Sequence, residues 1–136
     1  MAACSFSPCL RSGYGPGMTT SVEEYIAGFP EDVATRLQQV REVIVAEVTR
    51  VLGAAPEERV RYGIAAVMLD ERGALHYAGW KHHIGIYPVH PLPPELEAEV
   101  APLRTAKDTV KLVHSRPLPL DLLTRITAEV VNRYRG

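Results

Sequence analysis

The feature that most constrains this chain is a change of hydrophobic period near its middle. From Val33 to Val51 the apolar residues Val33, Leu37, Val40, Ile44, Val48 and Val51 recur at spacings of 4, 3, 4, 4 and 3, which lines one face of a helix. Beyond Ala54-Ala55-Pro56 the spacing drops to two. Val60, Tyr62, Ile64, Ala66 and Met68 alternate with Arg61, Gly63, Ala65, Val67 and Leu69, the pattern of a strand whose two faces meet different surroundings. A long amphipathic helix and alternating strands must bury their apolar sides against each other, so the chain is expected to be α+β. Its 136 residues are enough for one core and too few for two.

Punctuating residues divide the rest. Ser21 and Glu24 make an S-x-x-E capping box that opens a short helix over Val22–Phe29. Pro30, Glu31 and Asp32 suit the first turn of the long helix and Gly53 its C-cap, with Asp32 and Arg36 an i,i+4 pair on its outer side. Asp70-Glu71-Arg72-Gly73 reads as a hairpin turn, Leu75–Trp80 as a second strand, Lys81-His82 as a tight connection or bulge, and His83–Tyr87 as a third strand ended by Pro88. A short helix over Pro94–Val100, a fourth strand over Thr109–His114 and a helix from about Leu120 to Tyr134 follow. The last helix is expected to bury Leu123, Ile126 and Val130, flanked by Leu122 and Val131. The pattern predicts an antiparallel sheet of about four strands, packed on one face by the N- and C-terminal helices.

Composition excludes several functions. Hydrophobic residues make up 46% of the chain, which argues against disorder. A net charge of −1 argues against a dedicated nucleic-acid binder, so no nucleic-acid partner is expected. The only cysteines are Cys4 and Cys9, so no disulfide scaffold is expected. No apolar run is long enough to span a bilayer, so no membrane partner and a cytoplasmic location are expected. Residues 1–17, which end in Gly13-Tyr14-Gly15-Pro16-Gly17, read as a disordered tail, with Met18 an alternative start; the domain is expected over 18–136. No phosphate-binding glycine loop, serine elbow or H-E-x-x-H occurs. Ser115 follows His114, but neighbours on a strand face opposite ways, so no catalytic pair is expected and the chain does not read as an enzyme.

Four stretches carry a family resemblance: Ser21–Pro30 (S-V-E-E-Y-I-A-G-F-P), Arg61–Ala66 (R-Y-G-I-A-A), Lys81–Pro88 (K-H-H-I-G-I-Y-P) and Lys107–Leu120 (K-D-T-V-K-L-V-H-S-R-P-L-P-L). With them, Thr19–Tyr134 resembles the YdhG-like family, a bacterial domain of unknown function in the YjbR/CyaY-like superfamily. Ala65 stands where that family usually has proline. The resemblance implies a frataxin-like sandwich and, as the one specific function in its neighbourhood, an iron chaperone for iron–sulfur cluster or haem assembly. It implies iron–sulfur assembly proteins as partners, and iron as a weakly held cargo rather than a required cofactor. The carboxylates of the first helices, Glu23, Glu24, Glu31 and Asp32, are the iron ligands this implies, since iron favours hard oxygen donors. The plainer reading is a solvated helix face, interrupted by Arg36, Arg41 and Arg50.

The residues also support a second, metal-free reading. Tyr62, Trp80, Lys81, His83, Tyr87, Lys107 and Lys111 fall in or beside the quoted stretches. In an antiparallel meander they can converge on the open face or end of the sheet. Lysine and histidine donors among aromatic rings suit a small anionic ligand or a peptide. A concavity lined by Tyr62 and Tyr87, with Lys81 or Lys107 at its rim, is expected on that reading. The alternative is that the tyrosines are half-buried sheet residues and Lys107 belongs to a turn.

Overall fold

A computed structural model describes residues 21–69 and 73–135; the expected tail, its alternative start, both cysteines and most of the Asp70–Gly73 turn lie outside them. The capping box forms as expected. The Ser21 Oγ accepts from the Glu24 amide at 3.1 Å and the Glu24 carboxylate accepts from the Ser21 amide at 3.2 Å, starting α1 (Val22–Ala27). Helix α2 (Glu31–Leu52) ends where Gly53 turns left-handed, with φ of 83°, a conformation only glycine adopts freely. The expected stripe Val33, Leu37, Val40, Ile44 and Val48 is buried. The expected Asp32–Arg36 pair is replaced. Asp32 accepts from the Val33 amide at 2.9 Å, and Arg36 reaches the carbonyls of Val113 and Arg116, at 3.2 and 2.8 Å. Those carbonyls need a donor more than an exposed carboxylate needs a partner.

The sheet has six antiparallel strands in the order β1-β2-β3-β4-β6-β5, where about four were expected. They are β1 (Glu58–Arg61), β2 (Ile64–Met68), β3 (Ala74–Gly79), β4 (His83–Tyr87), β5 (Arg104–Ala106) and β6 (Thr109–Val113). The run read as one strand from Val60 to Leu69 is a hairpin. Arg61 pairs with Ile64, and Tyr62 and Gly63 between them have φ of 56° and 79°. Two positive φ angles define the type I′ turn, whose usual residues are Asn, Asp and Gly. Tyr62 hid the turn because it continues the alternation. The short edge strand β5 has no apolar periodicity to announce it.

Helix α3 (Pro94–Val100) and a single 3-10 turn (Ala101–Leu103) lead into β5, and α4 (Leu120–Arg135) closes the domain. Buried residues of all four helices join one cluster with Ala65, Val67, Leu75, Tyr77, Ile84, Ile86, Val110 and Leu112 of the sheet. These eight lie on one face, because paired residues across antiparallel strands share a face. Arg104 fastens the edge. It binds the Glu97 carboxylate at 2.7 and 2.9 Å, and donates to the carbonyls of Val89, His90 and Lys107 at 2.7, 3.1 and 3.0 Å. No described helix is long and apolar enough to cross a membrane.

Candidate functional site

The other sheet face presents Arg59, Arg61, Ile64, Ala66, Met68, Ala74, His76, Ala78, His83, Gly85, Tyr87 and Lys111 by the same alternation. Its floor is small: Ala66, Ala78 and Gly85 are all buried. Two groups of larger side chains cover that floor.

The first group is built over Gly85. The Tyr87 ring folds back across this glycine so closely that a Cβ there would stand 2.7 Å from its ring edge. Its Oη accepts from the Trp80 Nε1 at 2.9 Å. The β3–β4 connection is tight, with the Trp80 amide donating to the His83 carbonyl at 2.8 Å. This stacks the indole on the His83 ring, with centroids 6.3 Å apart and planes 26° apart. Lys111 stands across from Gly85. Burial lowers the His83 pKa, and the positive charge of Lys111 lowers it further, so the ring is neutral at pH 7. His114 approaches from behind, its Nε2 2.8 Å from the Trp80 carbonyl. A carbonyl only accepts, so Nε2 carries the proton.

The second group surrounds the I′ turn. Tyr62 is 83% exposed. The Arg61 guanidinium lies 5.2 Å from the centre of its ring, and His76 5.8 Å from it on the sheet side. Burial and the Arg61 charge lower the His76 pKa. His76 and Tyr87 are register partners on neighbouring strands, so the two groups abut and the aromatic surface is continuous.

Of the residues expected to converge, Tyr62, Trp80, His83, Tyr87 and Lys111 share this face. Lys81 is exposed in the β3–β4 connection. Lys107 is exposed in the β5–β6 turn, at the end of β6 away from His83. The Tyr87 ring lies over Gly85. Reading the sequence missed Arg61, His76 and His114. Arg61 and His76 could have been found once the hairpin set the register, since both then fall on the face of Tyr87.

The acidic residues lie elsewhere. The Glu23 carboxylate is held by Arg41 at 2.8 Å, and Arg41 also holds Glu58 at 2.7 Å. Arg41 keeps the Glu23 carboxyl below its ordinary pKa. Glu24 serves the capping box, and Glu31 and Asp32 are exposed on the first turn of α2. Among the described residues no three His, Cys, Asp or Glu side chains come together as a metal site. Arg41, Arg50, Arg104 and Arg125 each hold a carboxylate, and so does Arg59 at the β1 edge of the open face, whereas among the described residues the open-face cations Arg61 and Lys111 hold none. No family model, curated protein or solved structure matches this chain.

Proposed function

We propose that this protein is a binding module whose open sheet face takes an anionic ligand. The observation that carries the reading is a preorganised aromatic surface with unpaired cations. Trp80, Tyr87 and His83 are locked together by hydrogen bond, stacking and the glycine beneath them, with Arg61 and Lys111 beside the rings. Preorganised donors and rings lose little entropy on binding, and a cation without a carboxylate partner is available to an anion.

The iron-chaperone reading that goes with a frataxin-like sandwich is kept as a second proposal. A helix layer with one covered and one open sheet face is compatible with it. It would draw on Glu23, Glu24, Glu31 and Asp32, and Glu23 would first have to leave Arg41. Calorimetric titration separates the two readings. Tripolyphosphate is expected to bind, more weakly as salt rises, since exposed charge is screened over about 8–10 Å, and to lose affinity in Lys111→Ala. Ferrous iron titrated anaerobically, with binding abolished by replacing the four carboxylates with amides, would favour the chaperone instead.

A further inference from the structure

Resting on the anion-binding reading above, we infer that the ligand of the open face is single-stranded nucleic acid, held by base stacking on Tyr62 and Trp80 with its phosphates on Arg61 and Lys111. Near-neutral net charge argued against nucleic acid only while the charges were taken as evenly spread. The fold separates them. Most carboxylates lie on the helices, and among the described residues the open face carries the unpaired cations Arg61 and Lys111 beside His76 and His83, with Arg59 at its β1 edge paired to Glu57. A basic face is the electrostatic footprint of a polyphosphate ligand.

Shape narrows the chemistry. Small ligands are taken up in enclosed clefts, and the Tyr87 ring over Gly85 occupies the space such a cleft would need. The face carries an aromatic ring and a cation in each of its two groups, Trp80 with Lys111 and Tyr62 with Arg61, a repeat that matches successive bases and phosphates. In the first group the indole of Trp80 is backed by His83 and is 49% exposed; in the second the Tyr62 ring is backed by Arg61 and is 83% exposed. Stacked, half-exposed rings of this kind accept any base and need no sequence-specific hydrogen bonds.

The turn supplies an independent observation. Tyr62 occupies a left-handed position, φ 56°, that Asn or Gly would fill without strain. A bulky aromatic held there and left exposed is a choice the fold does not need, and strain of this type collects at ligand sites. A second copy of the chain is a poor occupant in a symmetric arrangement, because two basic faces would meet.

Trp80 is the only tryptophan, so its emission reports the site directly in the full chain. Titration with a short oligothymidylate should quench it. Affinity should fall on the order of sevenfold between 50 and 200 mM salt if about two phosphates are neutralised, one each by Arg61 and Lys111. Tyr62→Asn should weaken binding roughly five- to a hundredfold, the loss of one base stack, while Tyr62→Phe retains it. Lys111→Ala should weaken binding and flatten the salt slope. Circular dichroism melts show that each variant is folded. Equal affinity for polyglutamate, or for tripolyphosphate or duplex DNA, with no effect of Tyr62→Asn, overturns the nucleic-acid inference and leaves the anion-binding reading standing. A protein that binds none of these polyanions, or that self-associates through the face in sedimentation, overturns both.

Discussion

At the scale of single residues, the open face is organised by what glycine permits and tyrosine disturbs. Gly79 and Gly85 both sit where a Cβ would collide, but with different neighbours. At Gly79 the atoms are the Phe29 ring and the Leu37 side chain, at 2.8 to 3.0 Å inside the core. At Gly85 they are the Tyr87 ring edge and hydroxyl, on the surface. Gly79→Ala should therefore cost about 1–3 kcal/mol of stability by overpacking. Gly85→Ala should cost less, because the Tyr87 ring can swing out, and should release Trp80 from its hydrogen bond. A shifted Trp80 emission with a nearly unchanged urea midpoint is the expected signature. An unshifted emission would mean that Tyr87 is not what positions the indole. At Tyr62 the sign reverses. Tyr62→Asn relieves a left-handed tyrosine and should raise stability by about 1 kcal/mol; a decrease would show that its contacts with Arg61 and His76 outweigh the strain.

At the scale of elements, two fastenings hold the layers together. Helix α2 lays Leu37, Val40, Ile44 and Val48 on the core with no exposure at all. Leu37→Ala, at mid-stripe, should cost about 2–5 kcal/mol through lost burial and the cavity left behind, read from denaturant unfolding. Arg104 ties the β4–α3 connection to the β5–β6 turn, and its hydrogen bonds together with that from the Leu92 amide hold the Glu97 carboxyl down to about 2. A carboxyl with a folded pKa below its unfolded value stabilises the native state above pH 4.5, and that contribution fades as pH falls through about 2. Arg104→Ala should remove this acid-limb dependence and lower stability at neutral pH. A variant that loses neither would mean the edge strand docks without it.

For the whole molecule, the histidines link stability to ligand affinity in opposite directions. His76 and His83 have folded pKa values below 6.5, chiefly because each is partly buried and secondarily because Arg61 and Lys111 face them. Below pH 6.5 the unfolded chain takes up protons that the folded one resists, so native stability falls until the folded values are passed. As pH falls towards the lowered folded values the native rings protonate in turn and add positive charge to the open face, so anion affinity should rise as pH falls. Urea midpoints and tripolyphosphate affinity measured between pH 7.5 and 5 should move in opposite directions, and His83→Gln should reduce both slopes. Parallel movement would place the titrating groups outside the binding face.

The helices were legible in the sequence because period and caps are local: the α2 stripe, the Ser21–Glu24 box and the Gly53 stop need only neighbours within a turn or two. The strands were legible in kind but not in number. An alternating run looks the same whether it continues or doubles back, and only backbone sign at Tyr62 and Gly63 separates the cases. Of the seven residues expected at the basic-aromatic site, His83, Tyr87 and Lys111 lie on one face because period-two alternation fixes a side once the register is known, Trp80 joins them by pairing with His83, and Tyr62 is brought over by the turn, against Arg61 and His76. Which ring covers Gly85, why Lys107 lies at the far end of β6 and where unpaired charge collects were settled by register and by long-range pairs such as Arg41 with Glu58. Sequence alone determined which surfaces had to be buried. Tertiary structure decided which charges were paired, as Arg41 is with Glu58, and left Arg61 and Lys111 without a carboxylate among the described residues, because pairing depends on distance in space and not along the chain.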